Sequence, residues 1–389
     1  MKNIIDRNST TDNMIETSCY IHVPFCEHKC IYCDFYSIIT SDNINSYLAA
    51  IKQEIRFYSA RHKSNRIFKT IFFGGGTPSI LKPSFIEEII NQISKNFYLA
   101  DDAEITLETN PGTVDNAKLK SFKNTGINRI SIGVQSFNPD ELAFLTRIHD
   151  SQTAKDTVIA AYDAGISNIN VDLIFNLPGQ TKEKWIDNLS AAVKLPITHI
   201  SAYSLILEKG TILNKMVLDG KVTIGDADYD ADLYEDTIDF LASKGFEHYE
   251  VSNFCLPEKE CLHNMFYWLG KDYLGFGPSA HSTIAGERWW NYSSLKMYIS
   301  AIEKNGHAIA SREVLSAEQK LQEYVMLNMR AKGINLGTFK NSYGIAWFHS
   351  NEKLIRELIA TGYLELKNDF IKFTPKGYSV CDEILVRLK

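Results

Sequence analysis

The sequence has little that would place the protein in a membrane, outside the cell or on nucleic acid. No apolar run reaches the ~18 residues of a membrane-spanning helix, and the polar N-terminus lacks the apolar core of a signal peptide. The formal net charge is −6 over 389 residues, so the charge balance does not favour general binding to nucleic acid. We expect a cytoplasmic protein that binds no nucleic acid, with residues 1–18 as a flexible lead into the first strand.

The cysteines are distributed unlike those of a disulfide-stabilised protein. Their number is seven, which is odd, and three of them lie in one short stretch as Cys26, Cys30 and Cys33. A disulfide framework would normally use an even set, so a reducing compartment fits better. The spacing C-x-x-x-C-x-x-C allows three thiolates on an irregular loop to face one small object. Three sulfurs suit a [4Fe–4S] cluster with one iron free of protein ligands, since such clusters usually take four cysteines.

Two other interpretations of the three cysteines stay open at this point. A structural zinc site needs four ligands, and only His22 and His28 are near enough in sequence to supply the fourth. The three residues could also be unrelated buried thiols.

Strand-like and helix-like segments alternate between residues 19 and 203, six strands in all. This alternation predicts a parallel sheet, and six units fall short of the eight of a closed (β/α)₈ barrel. We therefore predict an α/β fold with an open, partial (β/α)₆ barrel over residues 19–250, followed by a smaller α/β extension. Residues 251–310 would form a linking segment. Residues 311–389 read as helices followed by a short hairpin, which indicates a winged-helix-like domain, and the missing Lys/Arg face favours packing over DNA binding.

Polar residues and glycines follow the strands, where a barrel of this kind has its chemistry. Three glycines, 74–76, allow a ligand to approach the backbone closely, but they do not match the phosphate loop ending in Gly-Lys-Ser/Thr. Glu108 could receive an ammonium group, and Arg147 offers a planar fork to a carboxylate. Asp172 and Gln135 could hold ribose hydroxyls. Each alone is equally well explained as a cap or a solvated charge; together they suggest an amino-acid–nucleoside ligand such as S-adenosylmethionine.

The motifs C-x-x-x-C-x-x-C, GGGTPS, ETNPG, RISIGVQSF and VDLIFNLPGQ, and the order of the tail, resemble the radical S-adenosylmethionine (SAM) superfamily. Within it they resemble the branch that contains oxygen-independent coproporphyrinogen III oxidase and the HemW-type haem chaperones. The resemblance covers the chain from Tyr20 onward. It implies that Cys26, Cys30 and Cys33 bind a [4Fe–4S] cluster whose unique iron takes the amino and carboxylate groups of SAM. It also implies contacts to SAM from Tyr20, Tyr32, Gly75, Gly76, Thr77, Glu108, Gln135, Arg147 and Asp172. Ser204 is a weaker candidate for such a contact.

Two features favour the chaperones over the oxidases. The oxidase motif continues to a fourth cysteine two residues after the third, where this chain has Phe35. The segment HNMFYW, which begins at His263, fits the H-N-x-x-Y-W pattern of the chaperones. Imidazole is a common axial ligand of haem iron, and Tyr267 and Trp268 offer flat apolar surface; the alternative is a core histidine among core aromatics. His281 is a weaker second candidate, and a covalent C-x-x-C-H attachment motif is absent.

The resemblance thus implies a haem chaperone with three cofactors or cargoes: a [4Fe–4S] cluster, SAM and haem bound through His263. Its partner would be an acceptor haem protein, membrane-bound in the respiratory chain, and a homodimer is left open. The alternative is an oxidase that decarboxylates coproporphyrinogen III to protoporphyrinogen IX through a 5′-deoxyadenosyl radical.

Overall fold

Six parallel strands form the centre of the molecule in a computed structural model that describes residues 14–40 and 42–388. Most of the predicted N-terminal lead lies outside the described residues, and the first strand begins at Ile15 rather than at residue 19. The strands follow one another in the sheet in chain order. They are β1 (Ile15–Val23), β2 (Arg66–Gly75), β3 (Tyr98–Thr109), β4 (Arg129–Gln135), β5 (Asn168–Phe175) and β6 (His199–Ser204).

Helices connect successive strands, as parallel pairing requires. They are α1 (Ile44–His62), α2 (Pro83–Asn96), α3 (Asn116–Asn124), α4 (Pro139–Phe144), α5 (Ser151–Asp163) and α6 (Lys182–Ala192). Local sequence explains several starts. The side chains of Asp115, Asn138, Asp150 and Thr181 accept backbone N–H bonds at the first turns of α3, α4, α5 and α6, which satisfies donors that would otherwise lack partners.

Later segments extend the same sheet on both sides. Beyond β6 lies β8 (Asn253–Cys255), which is antiparallel to β6. β7 (Glu247–Glu250) follows and is antiparallel to β8. On the other side β9 (Tyr273–Phe276) pairs parallel with β1 and is followed by β10 (His281–Ile284), β11 (Glu287–Asn291) and β12 (Ile309–Val314). The helices among these strands are α7 (Ile212–Leu218), α8 (Ala227–Ser243), α9 (Leu262–Trp268) and α10 (Leu295–Asn305).

This arrangement confirms the open partial barrel, because β1 and β6 pair with β9 and β8 and not with each other. The segment 251–310, expected to be a linker, supplies β8 to β11 to the main sheet. The predicted boundary at residue 311 falls inside β12, which pairs with β11, so the C-terminal unit begins after that strand.

The C-terminal unit has the predicted winged-helix-like order of helices and a small antiparallel sheet. Its elements are α11 (Ala317–Met329), β13 (Ile334–Asn335), α12 (Leu336–Tyr343), α13 (Ala346–Ala360), β14 (Leu364–Lys367), β15 (Phe370–Phe373), α14 (Pro375–Tyr378) and α15 (Cys381–Arg387). Buried residues of this unit, among them Phe339 and Tyr378, belong to the same apolar core as Leu173 of β5 and Tyr234 of α8. The unit therefore packs on the barrel through a continuous apolar contact.

The buried side chain of Glu54 connects α1 to the segments that extend the sheet beside β9. Glu54 of α1 accepts hydrogen bonds from the Tyr298 hydroxyl (2.7 Å), the Asn291 amide (2.7 Å) and the backbone N–H of Gly277 (2.9 Å). Burial nevertheless raises the pKa of Glu54 from its ordinary 4.5 to about 7, while the three donors oppose that rise. Folding therefore favours the protonated form of the Glu54 carboxyl group.

We expect Glu54→Gln to remove part of the pH dependence of stability. The folded protein holds the Glu54 proton more tightly than the unfolded chain, so this contribution is complete below pH 4.5 and is lost as the pH rises through about 7. At 1.36 kcal/mol per pKa unit the loss is about 3 kcal/mol. Urea unfolding at pH 5 and pH 8 measures it, with the exposed Glu357→Gln as control. Equal pH dependence in wild type and Glu54→Gln would contradict the expectation.

Candidate functional site

The cysteine loop is held against the glycine-rich turn that follows β2. The backbone N–H of Gly76 donates to the Val23 carbonyl (2.8 Å), and that of Thr77 donates to the Phe25 carbonyl (2.7 Å). A Cβ atom on Gly76 would lie 2.7 Å from the Phe25 oxygen and 3.1 Å from the Cys26 sulfur. Glycine is required here because any side chain would fill the space beside that sulfur.

The three cysteine side chains are half-buried and free of disulfides. In the described ranges no three His, Cys, Asp or Glu side chains gather around a single metal-ion position. The assignment of Cys26, Cys30 and Cys33 as cluster ligands therefore stays a prediction from their spacing, and three thiols on one loop remain the donor set that an iron–sulfur cluster prefers.

A hydrogen-bond chain joins the predicted SAM residues to the cysteines. Arg147 donates from Nη1 to the Cys30 sulfur (3.4 Å) and from Nη2 to Asn110 Oδ1 (2.7 Å). The Asn110 amide donates to Thr77 Oγ1 (2.8 Å), which lies 3.6 Å from the Cys26 sulfur. Side-chain donors of Arg147, Asn110 and Thr77 thus connect Cys30 to Cys26, and the Arg147 guanidinium in this chain is half-buried.

Two half-buried carboxyl groups also line the site. Glu108 accepts the backbone N–H of Gly75 (3.1 Å), and Asp172 accepts from Asn170 (2.7 Å) and Ser131 (3.2 Å). Burial, together with the negative charge of Asp172, raises the pKa of Glu108 to about 8. Burial also raises the pKa of Asp172. An ammonium group placed beside these carboxyls would stabilise their ionised forms.

One cavity of about 640 Å³ collects these groups at the carboxyl ends of the strands. Its volume lies within the range usual for small-molecule and cofactor sites. Every residue predicted above to hold the cluster or SAM lines this cavity, and so do Ser204 and His263. We call it the principal cavity. Side chains that are far apart in sequence therefore lie together, as expected for residues near the carboxyl ends of parallel strands.

Comparisons with known proteins agree with this geometry. The model of the radical SAM superfamily matches residues 20–192, and that of the HemN C-terminal domain matches residues 315–380. A protein named heme chaperone HemW from Lactococcus lactis subsp. lactis is 34% identical over 94% of this chain and 96% of its own. The Escherichia coli K12 protein of the same name is 32% identical over 95% of this chain and 97% of its own. The chain belongs to the HemW family of radical SAM proteins.

The fold of this HemW family member is also found in a solved structure. Coproporphyrinogen III oxidase (HemN) from Escherichia coli superimposes with a TM-score of 0.83 over 97% of this chain and 91% of that chain, at 24% identity. That likeness shows the shared fold. Membership of the superfamily implies a [4Fe–4S] cluster and SAM, and the donor set and the principal cavity fit both.

The predicted haem ligand of this HemW sequence, His263, is a fully engaged buried side chain. Its exposed fraction is 2%. Nδ1 lies 2.7 Å from Thr70 Oγ1, Nε2 lies 2.9 Å from the Tyr267 hydroxyl, and the ring stacks on Phe72 at 4.8 Å. Burial lowers the pKa of His263 to about 3. The residue lies at the wall of the principal cavity, but both ring nitrogens already have partners, and haem binding through His263 stays a prediction.

Sequence reasoning missed several polar residues of the principal cavity. Asn110, which connects Arg147 to Thr77, belongs to the same ETNPG motif as Glu108. Arg129 begins the RISIGVQSF strand, is 2% exposed and lines the cavity. Its Nε atom has no hydrogen-bond partner among the described residues. A charged residue at the start of an otherwise apolar strand was the available signal.

A second cavity of about 490 Å³ lies beside the first and shares part of its wall. We call it the second cavity; it is lined by Tyr20, His22, Asp34, Phe35, Tyr36, Tyr267, Tyr273, Ser279 and His281. Phe35, the residue that replaces the fourth cysteine of the oxidases, lines both cavities and is 61% exposed.

Within the described ranges, no helix combines the length and the apolar character needed to cross a membrane.

Proposed function

We propose that this protein is a haem chaperone, which binds haem and passes it to an acceptor haem protein while carrying a [4Fe–4S] cluster and exchangeable SAM. The observation that carries the proposal is the similarity, over nearly the whole length of both chains, to proteins named heme chaperone HemW. The exposed Phe35 supports it, because an aromatic side chain at the mouth of the cavities offers apolar surface to a porphyrin.

In this proposal Cys26, Cys30 and Cys33 hold the cluster. Glu108 receives the ammonium group of SAM, and Arg147 receives its carboxylate through the fork geometry that guanidinium shares with carboxylates. Asp172, within β5, and Gln135, at the end of β4, hold the ribose hydroxyls. The bound cofactors supply one-electron chemistry, and the protein supplies position, charge and exclusion of water.

The acceptor we propose is a haem protein of the respiratory membrane. Haem bound in the second cavity would lie close to SAM and the cluster, since Tyr20 and Tyr267 line both cavities. Cofactor binding and haem binding would therefore share side chains, which is a direct route for one to influence the other.

A second function is favoured by one specific observation. The principal cavity retains all the side chains that the resemblance assigns to SAM, so coproporphyrinogen III oxidation is the alternative. Phe35 argues against it, because the fourth cysteine of the oxidase motif is missing.

One experiment separates the two functions. Anaerobically reconstituted protein is given coproporphyrinogen III, SAM and a reductant, porphyrin products are analysed, and haem is then titrated into the same protein. We expect no protoporphyrinogen and stoichiometric haem binding. The Cys30→Ala variant serves as control for porphyrin oxidation that needs no cluster. Turnover that depends on Cys30 would overturn the chaperone proposal in favour of the oxidase.

A further inference from the structure

A histidine that ligates haem iron needs a ring nitrogen with a free electron pair. His263 offers none without rearrangement, because Thr70 and Tyr267 occupy its two nitrogens and the ring is almost entirely buried. The contact with Tyr267 joins the histidine and the tyrosine of the HNMFYW segment by a hydrogen bond. The segment can therefore contribute to a haem site without His263 touching the iron.

His281 has the opposite properties. It begins β10, its side chain is exposed, and it lines the second cavity. In the part of the chain that the structure describes, its ring makes no hydrogen bond, and its one ring contact is a stack on Trp290 at 5.6 Å and 24°. Trp290 is its register partner on β11. The stack orients the imidazole plane and leaves its nitrogens open.

The walls of the second cavity suit a flat, apolar macrocycle. Tyr267 and Tyr273 meet edge to face at 4.7 Å and 89°, and Tyr36 and Phe35 complete an aromatic lining. Aromatic rings of this kind pack against the faces and edges of other π-systems. Since Tyr267 belongs to the HNMFYW segment, that segment and His281 face one cavity.

The turn before His281 has a constrained backbone, and His281 follows it at the wall of the second cavity. Gly277 has φ +101°, and a Cβ atom on it would lie 2.6 Å from the His22 carbonyl oxygen. Ser279 also has a positive φ of 63°, a costly conformation for a residue with a side chain, and its N–H donates to the Tyr292 carbonyl (3.0 Å). Backbone strain of this kind persists where the surroundings fix the conformation.

We propose that the second cavity is the haem site and that His281, through a ring nitrogen, is the axial ligand of the haem iron. The bond is a dative one: the imidazole lone pair replaces a water ligand on ferric haem, and no electron is transferred. His263 is then a positioning residue that holds Tyr267 against the macrocycle. This inference rests on the proposed haem-chaperone function and names the site that serves it.

The test is a titration of ferric haem into full-length reconstituted protein, followed by absorption and electron paramagnetic resonance spectra. We expect His281→Ala to weaken haem binding roughly tenfold or more and to lose the signature of nitrogen ligation. His349→Ala, an exposed histidine on α13, should behave as wild type. Imidazole added to His281→Gly should restore the ligated spectrum.

Variants of His263 separate positioning from ligation. His263→Ala should bind haem less tightly yet keep the histidine-ligated spectrum, and His263→Gln, which can still hydrogen-bond to Tyr267, should recover much of the affinity. Loss of ligation in His263→Ala with an unchanged His281→Ala would overturn the inference. An unchanged spectrum in both variants would overturn it as well. Absence of haem binding by wild type would instead remove the proposed function itself.

Discussion

Replacing Cys30 by alanine abolishes the broad iron–sulfur absorption of the reconstituted protein, if the three cysteines are its ligands. Only two protein thiolates would remain for a cluster that already has one iron without a protein ligand. The same change removes the sulfur that Arg147 contacts at 3.4 Å. We expect loss of nearly the whole iron–sulfur absorption, while haem uptake persists at least in part.

The matched control is Cys381→Ala, a buried cysteine of α15 in the C-terminal unit. It should keep the full cluster, which shows that loss of a thiol elsewhere is harmless to the metal site. A Cys30→Ala protein with unchanged iron content and absorption would mean that Cys30 is not a ligand.

Arg147→Lys should weaken SAM binding by about two orders of magnitude with the cluster still present. The Arg147 guanidinium donates at once to Cys30, to Asn110 and to the Gly133 carbonyl (2.7 Å). A lysine ammonium is a point charge on a flexible stem and cannot reproduce that planar arrangement. The Arg147 Nε–H has no partner among the described residues, so the guanidinium keeps a donor for the SAM carboxylate. Hydrogen bonds to charged groups contribute about 1.5–3 kcal/mol each, and losing one or two such bonds to SAM accounts for the expected effect.

Anaerobic calorimetry or equilibrium dialysis with SAM measures the change, and the absorption spectrum of the same sample reports the cluster. Arg356→Lys, on the exposed face of α13, is the control for a general effect of the substitution. An affinity equal to wild type in Arg147→Lys would show that this side chain does not bind the SAM carboxylate.

The central sheet was predictable because its strands are buried runs separated by helices of ordinary length. β5, for example, is apolar at five of its eight positions and has no exposed residue, as expected for a parallel strand covered on both faces. The strands β7 to β11 were not predicted, since each has only three to five residues. Segments so short carry too little periodicity to distinguish a strand from a loop.

The location of the site was predictable from the sequence, but the hydrogen bonds within it were not. Parallel strands end at one edge of the sheet, so Glu108 and Asp172 were expected to lie near the cysteine loop, and they line the same cavity. The partners of His263 could not be foreseen, because Thr70 lies almost two hundred positions earlier in the chain. A histidine in a haem-associated motif looks alike in sequence whether its nitrogens are free or bonded.

The parallel pairing of β9 with β1 has a consequence for biosynthesis. β1 leaves the ribosome long before β9, which is one of its two neighbours in the sheet but lies far later in the chain. Until then the N–H and C=O groups along that side of β1 have no strand to pair with, and an unpaired strand edge invites association with other chains. Non-local pairing of this kind also slows folding. The nascent protein therefore has an extended interval in which other factors could protect this edge, and the second cavity, whose walls come from both strands, cannot form before that interval ends.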